Sequence, residues 1–188
     1  NHTDINIAME LVKGAVKMAP VYYVSGNHEA WSGVYSELKL RLIDAGVILL
    51  DDKKLLIKEN GTYIDLIGLS DPSFTSGGNL VGERLEDLVE SDEQSFKILL
   101  SHRPELLEIY ASNNIDLVFA GHAHGGQFRI PFIGGLIAPN QGFFPKYTSG
   151  TYTMNHTTLV VSRGLGNSVI PIRIFNRPEI IIATLKSE

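Results

Sequence analysis

The stretch DLVFAGHAHGG, residues 116–126, decides the fold. Asp116–Ala120, which is apolar after its first residue, is predicted to be a buried strand, and His122 and His124 follow it closely. We expect the glycines around the two histidines to let the backbone approach closely. Because ligands gather at the carboxyl ends of strands in α/β sheets, the pattern predicts a functional site at this strand end.

Two further apolar runs end in the same way. Val21–Val24 leads into residues 26–29, which read GNHE, and Phe96–Leu100 leads into residues 101–104, which read SHRP. Four of the six histidines therefore follow predicted buried strands, where an unpaired polar group is costly.

Imidazole nitrogens and an amide oxygen suit a divalent cation such as Mn²⁺, Fe or Zn²⁺. We therefore predict that four side chains meet at one metal-binding point: Asn27, His102, His122 and His124. His122 and His124 stand two apart on a predicted extended segment, so they should project to the same side and let one loop supply two ligands.

The composition of the 188-residue chain limits the other functions. A hydrophobic share of 44% can bury a core, and the length fits a single domain over residues 1–188. The absence of cysteine excludes a disulfide scaffold and a cysteine nucleophile. A net charge of −5 argues against nucleic acid as a partner. No apolar run reaches the ~20 residues of a membrane span.

Hydrophobic periodicity predicts an α/β fold with mixed sheets, because helices and strands alternate before a final run of strands. The predicted helices are Ile5–Met18, Tyr35–Ala45, Glu83–Glu90 and Pro104–Ala111. The predicted strands besides the three above are Val47–Leu50, Lys54–Lys58, Tyr63–Gly68, Phe128–Ile130, Thr151–Met154, Thr158–Ser162 and Ile180–Leu185. Asn155-His156 predicts a tight turn, and Ile133–Gly150 a long loop.

The three strand-end motifs together resemble the second half of the calcineurin-like metallophosphoesterase signature. Residues 125–127, 131–147, 162–166 and 175–179 resemble the membrane-associated bacterial branch of that family, some of whose members cleave the pyrophosphate of UDP-diacylglucosamine-type lipids. The resemblance covers essentially the whole chain. It implies an αββα sandwich with mixed β-sheets and a phosphoesterase that uses two divalent metal ions.

The resemblance also implies roles for single residues. Asn27, His102 and His122 match ligands of one metal ion, and His124 matches a ligand of the other. His28 matches the histidine that contacts the phosphoryl group and assists the leaving oxygen. The implied substrate is a phosphodiester, a phosphomonoester or a lipid pyrophosphate. The implied location is the membrane or cell envelope, with the cytoplasm as the alternative.

The family's opening D-x-H and G-D-x-x-D motifs have no match in this sequence. We therefore expect a domain truncated at its amino side that lacks its first βαβ unit, holds one metal ion or none, and has little activity. Loss of neighbouring strands would leave Val21–Val24 at an unpaired sheet edge, so we also expect self-association or a bound complementary fragment.

Several alternatives stay open at this point. A non-catalytic binding module that keeps the fold is the second functional hypothesis; the amidohydrolases also use H-x-H, but near the start of larger barrels. Arg103 could clamp a phosphate or form a salt bridge, Arg163 is equally open, and Asp71 could line the crevice or form an Asx-turn. Glu29 could orient His28 or lie at the surface.

The loop residues 132–144 carry apolar side chains among glycines. This loop could shelter an acyl chain or touch a bilayer, or it could pack over the sheet edge. We expect His2 and His156 at the surface.

Overall fold

The structure is a computed structural model that describes residues 5–59, 61–75, 80–89, 95–166 and 172–186. The helices are α1 (Ile5–Ala15), α2 (Asn27–Ser32), α3 (Tyr35–Asp44), α4 (Leu80–Val89) and α5 (Leu107–Ser112), with short 3₁₀ turns at Pro72–Phe74, Pro104–Leu106 and His124–Gly126. The strands are β1 (Tyr22–Tyr23), β2 (Ile48–Leu49), β3 (Lys53–Glu59), β4 (Thr62–Gly68), β5 (Phe96–Leu100), β6 (Leu117–Ala120), β7 (Arg129–Ile130), β8 (Gly134–Gly135), β9 (Ile137–Ala138), β10 (Gly142–Phe143), β11 (Gly150–Met154) and β12 (Thr157–Val161).

A six-stranded mixed sheet with the order β11-β12-β6-β5-β4-β3 forms the centre of the molecule. Its four inner strands, β12, β6, β5 and β4, are parallel, and an antiparallel strand closes each edge. The carboxyl ends of the inner strands therefore lie along one edge of the sheet. β1 and β2 form a separate parallel pair.

Four layers enclose three packed interfaces, which agrees with the expected αββα arrangement. On one face of the large sheet, Leu99 and Val118 pack with residues of α4 and α5 such as Leu85 and Tyr110. On the other face, Ile98 and neighbouring side chains pack against Tyr22, Val24 and Leu50. The outer side of the β1–β2 pair then packs against α1 and α3.

The structure confirms most of the elements predicted from periodicity. β5 has the predicted bounds, and β3 and β4 form the predicted hairpin in register from Lys53–Gly68 to Glu59–Thr62. α3 ends at Asp44, and Gly46 follows with a φ of +93°, a backbone conformation that favours glycine. The tight turn at Asn155-His156 is also present.

Some predicted elements differ from the structure. The strand predicted at Ile180–Leu185 is wrong: none of these residues lies in a strand, because within the described chain no neighbouring strand pairs with them. Val21–Val24 is half-buried rather than buried, because among the described residues β1 pairs with β2 alone. The long loop predicted at Ile133–Gly150 contains three short strands that form two small hairpins with their neighbours.

The predicted helices need smaller corrections. α1 ends at Ala15, three residues early, and the helix predicted at Pro104–Ala111 begins as a 3₁₀ turn before α5. Glu90, the predicted end of α4, and His2 lie outside the described residues. Among the helices that the structure describes, none is both long enough and apolar enough to cross a bilayer.

Candidate metal centre

Three of the four predicted ligands lie together at the carboxyl edge of the sheets. The Nε2 atom of His102, after β5, is 2.8 Å from Oδ1 of Asn27, the first residue of α2. The same Nε2 is 3.0 Å from Nδ1 of His122, which follows β6. The parallel arrangement of β5 and β6 brings the two imidazoles to the same edge, with ring centroids 4.7 Å apart.

The chemistry of this donor set fits a divalent cation. A ring nitrogen of histidine has one hydrogen-bonding position, so His102 Nε2 can pair with Asn27 or with His122 but not with both. Ligand atoms held ~2.1 Å from one metal ion are themselves roughly 3.0–3.4 Å apart, which is close to the two observed separations. Asn27 and His122 are buried, so without a cation their ligand atoms compete for the single hydrogen-bonding position of His102 Nε2. A cation shared by the three side chains would satisfy all of these atoms.

Burial keeps both imidazoles neutral. Burial, followed by the neighbouring His122, lowers the pKa of His102 to about 3, and burial lowers the pKa of His122 to about 4. A neutral imidazole retains a lone pair, and a metal ion binds through that lone pair. Both side chains are therefore in the protonation state that metal binding requires at neutral pH.

Gly26 and Asp51 hold Asn27 at this point. A β-carbon on Gly26 would lie 2.9 Å from both Cε1 and Nε2 of His102, so only glycine permits this approach of the backbone to the imidazole. Asp51, after β2, accepts hydrogen bonds from the backbone N–H and the hydroxyl of Ser25 at 2.8 and 2.9 Å. The sequence analysis did not identify Asp51.

Glu29 caps α2 rather than orienting His28. Its carboxylate accepts a hydrogen bond from the backbone N–H of Gly26 at 2.8 Å, which satisfies one of the free donors at the helix start. His28 is half-buried on the same helix, with its ring centroid 5.9 Å from that of Trp31.

His122 and His124 do not lie on an extended segment, which corrects the sequence prediction. Both adopt positive φ, +61° and +47°, so the chain turns sharply between them. The close backbone approach expected at the surrounding glycines is confirmed at Gly125 and Gly126, whereas Gly121 has open space around it. The two histidines consequently face different neighbours.

His124 lies beside a different group of residues. Its side chain hydrogen-bonds to the backbone of Gly166, and it is close enough to Arg173 and His28 to interact with both electrostatically. Burial is the largest cause of its lowered pKa, followed by Arg173. In the part of the chain that the structure describes, no three side chains of His, Cys, Asp or Glu gather at one point, so the candidate centre depends on the amide of Asn27.

Arg103 forms a buried salt bridge, which decides between its two sequence interpretations. Its Nε and NH2 atoms contact the two carboxylate oxygens of Asp71 at 2.6 and 2.8 Å. Asp71 also accepts a hydrogen bond from the backbone N–H of Ser73 at 2.8 Å, so it forms the expected turn. Burial alone would raise the pKa of Asp71, but hydrogen bonds from Arg103 and Ser73 outweigh it and hold that pKa below its usual value.

Asn140, between β9 and β10, is a second residue that the sequence analysis missed. Its Oδ1 lies 2.9 Å from Nε2 of His122 and also accepts a hydrogen bond from NH1 of Arg103. NH1 of Arg103 also lies 3.0 Å from this Nε2 and can only donate, so it competes with Asn140 for the nitrogen. If Nε2 of His122 carries the proton and donates it to Asn140, the lone pair of Nδ1 faces Nε2 of His102. The only sequence signal at this position is the turn composition of residues 139–142, which read PNQG.

Comparisons with known proteins identify related sequences. A family model described as calcineurin-like phosphoesterase matches residues 2–126. The chain is 31% identical over 171 residues to the uncharacterized metallophosphoesterase YkuE of Bacillus subtilis (strain 168), covering 87% of this chain and 55% of that protein. It is 32% identical over 168 residues to the uncharacterized metallophosphoesterase Cj0846 of Campylobacter jejuni, covering 89% of this chain and 42% of that protein.

The name of a third relative states an activity. The chain is 25% identical over 178 residues to the phosphodiesterase YaeI of Escherichia coli (strain K12), covering 94% of this chain and 62% of that protein. The chain therefore spans between two fifths and two thirds of the length of these three relatives. No solved structure matches it significantly.

Proposed function

Because this chain belongs to the calcineurin-like phosphoesterase family, we propose that it hydrolyses a phosphoester where Asn27, His102 and His122 converge. The observation that carries the proposal is the approach of two ligand-type atoms, each within about 3 Å of His102 Nε2. Enzymes of this family generally use divalent metal ions, and the donor set admits Mn, Fe or Zn.

The three side chains would hold one metal ion, and His124 would contribute to a second. A bound divalent ion polarises phosphoryl oxygens and lowers the pKa of water. The protein's own part is to fix the ligands: Gly26 allows the approach of His102, and Asn140 orients His122. A dinuclear centre is the arrangement that we propose for the active enzyme.

His28 would assist the leaving group. It is the second residue of α2, directly after Asn27, and lies close enough to His124 for an electrostatic interaction. An imidazole in this position can donate a proton or a hydrogen bond to the oxygen that departs from phosphorus. Asn27 and His28 would thus place the ligand and the acid on one short helix.

We propose that the 188-residue chain by itself binds at most one metal ion and turns over slowly. The three converging donors are neutral, so no carboxylate among them offsets the charge of a divalent ion. Phosphoester hydrolysis by a whole protein as long as these relatives is also a proposal.

The experiment combines metal binding with hydrolysis. We expect Mn²⁺ to bind in calorimetry and to support slow hydrolysis of bis-p-nitrophenyl phosphate, a phosphodiester chosen because one relative is named a phosphodiesterase. His122→Ala should lose both, whereas His156→Ala, at the exposed β11–β12 turn, should retain both. A folded wild-type chain that binds Mn²⁺ without hydrolysing any phosphoester would favour the non-catalytic binding module instead. Phosphomonoesters and lipid pyrophosphates are the further substrates to compare.

We propose contact with a membrane surface on a separate observation. Phe132, Ile133, Phe143 and Phe144 are exposed, and they lie in or beside the two small hairpins β7–β8 and β9–β10. Apolar side chains that extend from neighbouring hairpins can enter the interface of a bilayer. Co-flotation with phosphatidylglycerol vesicles, lost in Phe132→Ser, would support a membrane or cell-envelope location; absence of flotation would favour the cytoplasm.

We also propose self-association through β1. Within the described chain β1 pairs with β2 on one side only, and an unpaired strand edge can pair with another chain. Light scattering should then give a mass above that of one chain, whereas a monodisperse monomer without a bound fragment would contradict the proposal.

A further inference from the structure

Two arginines meet beside His124, outside the three-ligand centre. The NH2 group of Arg173 donates hydrogen bonds to the carbonyl of Arg163 at 3.0 Å and to the carbonyl of Gly166. Arg163 lies close enough to lower the pKa of Arg173, although burial is the larger cause. The structure thus brings two guanidinium groups together on segments that are ten residues apart in the chain.

The two arginines differ in how their charge is balanced. Arg163 forms an ion pair with Glu179: its Nε lies 3.2 Å from one carboxylate oxygen without a hydrogen bond, and its backbone N–H donates to the other oxygen at 2.9 Å. In Arg173 the Nε and NH1 atoms are buried and have no hydrogen-bond partner among the described residues. Buried donors without an acceptor are costly, so an acceptor from outside the chain would stabilise this arrangement.

The backbone of Arg173 is held on both sides. The carbonyl of Ile172 accepts a hydrogen bond from Nε2 of Gln127 at 2.8 Å, and the carbonyl of Ile174 accepts one from the backbone N–H of Arg129 at 3.0 Å. Both donors belong to the chain that continues from the His122–His124 turn. The backbone on either side of Arg173 is therefore held against the chain that follows that turn.

Arg173 and His124 share a neighbour. The carbonyl of Gly166 accepts from Arg173, and the His124 side chain hydrogen-bonds to the same backbone group. His28, the proposed proton donor, also lies within electrostatic range of His124. A group bound by Arg173 would thus be adjacent to the residues that we assign to the reaction.

We propose that the unpaired Nε and NH1 donors of Arg173 bind the non-bridging oxygens of a phosphoryl group, with Arg163 and Gly166 positioning the guanidinium. The planar fork of arginine matches two oxygens of a phosphate, and its charge does not depend on pH in the physiological range. This subsite deepens the proposed function and rests on it, because it would orient the scissile phosphoryl group beside His28 and His124.

The test measures binding of inorganic phosphate by calorimetry to metal-free protein in EDTA. Arg173→Gln should weaken binding roughly tenfold or more, because a charge-assisted pair of hydrogen bonds is lost. The phosphate affinity of Arg173→Lys should lie between those of the wild type and Arg173→Gln, because lysine keeps the charge and lacks the planar fork of donors. Arg177→Gln removes the same charge from an exposed arginine four residues away and should bind as the wild type does.

A measurement on the wild type covers the case in which Arg173→Gln does not fold. Phosphate should shift the Nε–H resonance of Arg173 in ¹⁵N spectra and leave that of Arg177 unchanged. Equal affinities of Arg173→Gln and Arg177→Gln, an unshifted Arg173 signal, or no phosphate binding at all would overturn the inference. Since no metal is present, a failure of Mn²⁺-dependent hydrolysis is a separate result that bears on the proposed function alone.

Discussion

Gly26 and His102 are in such close contact that a β-carbon at position 26 would lie 2.9 Å from two atoms of the imidazole ring. This contact joins the loop before α2 to the end of β5, and it sets where His102 can stand relative to Asn27.

Gly26→Ala should displace His102 and weaken Mn²⁺ binding roughly 10- to 100-fold, the usual loss when the residues that support metal ligands are changed. Gly14→Ala is the matched control, since a β-carbon there meets nothing within 4 Å and sits in helix α1. The control should bind Mn²⁺ normally and gain up to about 1 kcal/mol in free energy of unfolding. Calorimetric titration of both variants checks the prediction, and equal affinities would contradict it.

Asn140→Gly should also reduce Mn²⁺ affinity, by roughly 10- to 100-fold, because His122 loses the acceptor that holds its Nε2 proton. Glycine retains the positive φ of +59° at this position, so the backbone is not strained by the change. Asn155→Gly makes the same substitution at a φ of +53° in the β11–β12 turn and should leave affinity unchanged. Long-range ¹H–¹⁵N spectra of the metal-free wild type should show the His122 proton on Nε2; a proton on Nδ1 would refute the assignment.

Asp71→Asn should lower the free energy of unfolding by about 3–5 kcal/mol, because it leaves the buried charge of Arg103 without its partner. Glu37→Gln removes one partner of the exposed Arg41 pair on α3 and should cost about 0.5 kcal/mol or less. Urea unfolding monitored by circular dichroism compares the two. A similar small cost for both variants would show that the Asp71–Arg103 pair does not support the loop around β5 and β6.

Glu105→Gln should stabilise the protein at pH 7. Burial raises the pKa of Glu105, and its Oε2 has no hydrogen-bond partner among the described residues. The folded state therefore holds the proton to higher pH than the unfolded state, so stability is lost as pH rises from ~4.3 through the folded pKa. The gain in stability should be present at pH 7 and should vanish below pH ~4.

Glu108→Gln provides the control for this pH dependence. Glu108 is exposed and also lies in the first turn of a helix, so both substitutions remove a charge near a helix start. Its effect on the thermal midpoint should be small and nearly constant between pH 4 and 7. If Glu105→Gln destabilises the protein at pH 7, then the contact between the Glu105 carboxylate and NH1 of Arg103, 3.4 Å away, outweighs the cost of burying the carboxylate.

The sequence allowed the strands and three members of the site to be predicted, for a physical reason. Largely apolar runs such as Phe96–Leu100 form the inner strands of a sheet, and parallel strands end at the same edge. Residues that follow those runs, such as His102 and His122, consequently come together whatever the details of the loops. Ile180–Leu185 shows the limit of this reasoning, since strand propensity has no effect without a neighbouring strand to pair with.

The remaining features depend on long-range contacts or on dihedral angles that spacing does not reveal. Spacing placed His122 and His124 on one side, but the positive φ at both residues separates them. Asn140 and Asp51 act on groups 18 and 26 residues away, so their roles become visible only in the folded chain. Arg173 was not singled out for the same reason, because Gly166 and Arg163 give it its position.

Asn176 connects the histidine turn to a segment fifty residues later. Its side-chain amide donates hydrogen bonds to the carbonyl of His124 at 2.6 Å and to that of Gln127 at 3.1 Å. The two segments should therefore open as one cooperative unit, so that the amides of Gly126 and Gln127 exchange with deuterium at the rate of the 172–176 segment. Removing these two hydrogen bonds in Asn176→Ala should uncouple the two exchange rates and accelerate exchange at the histidine turn. A remote segment of the chain is thus a determinant of local order at the site.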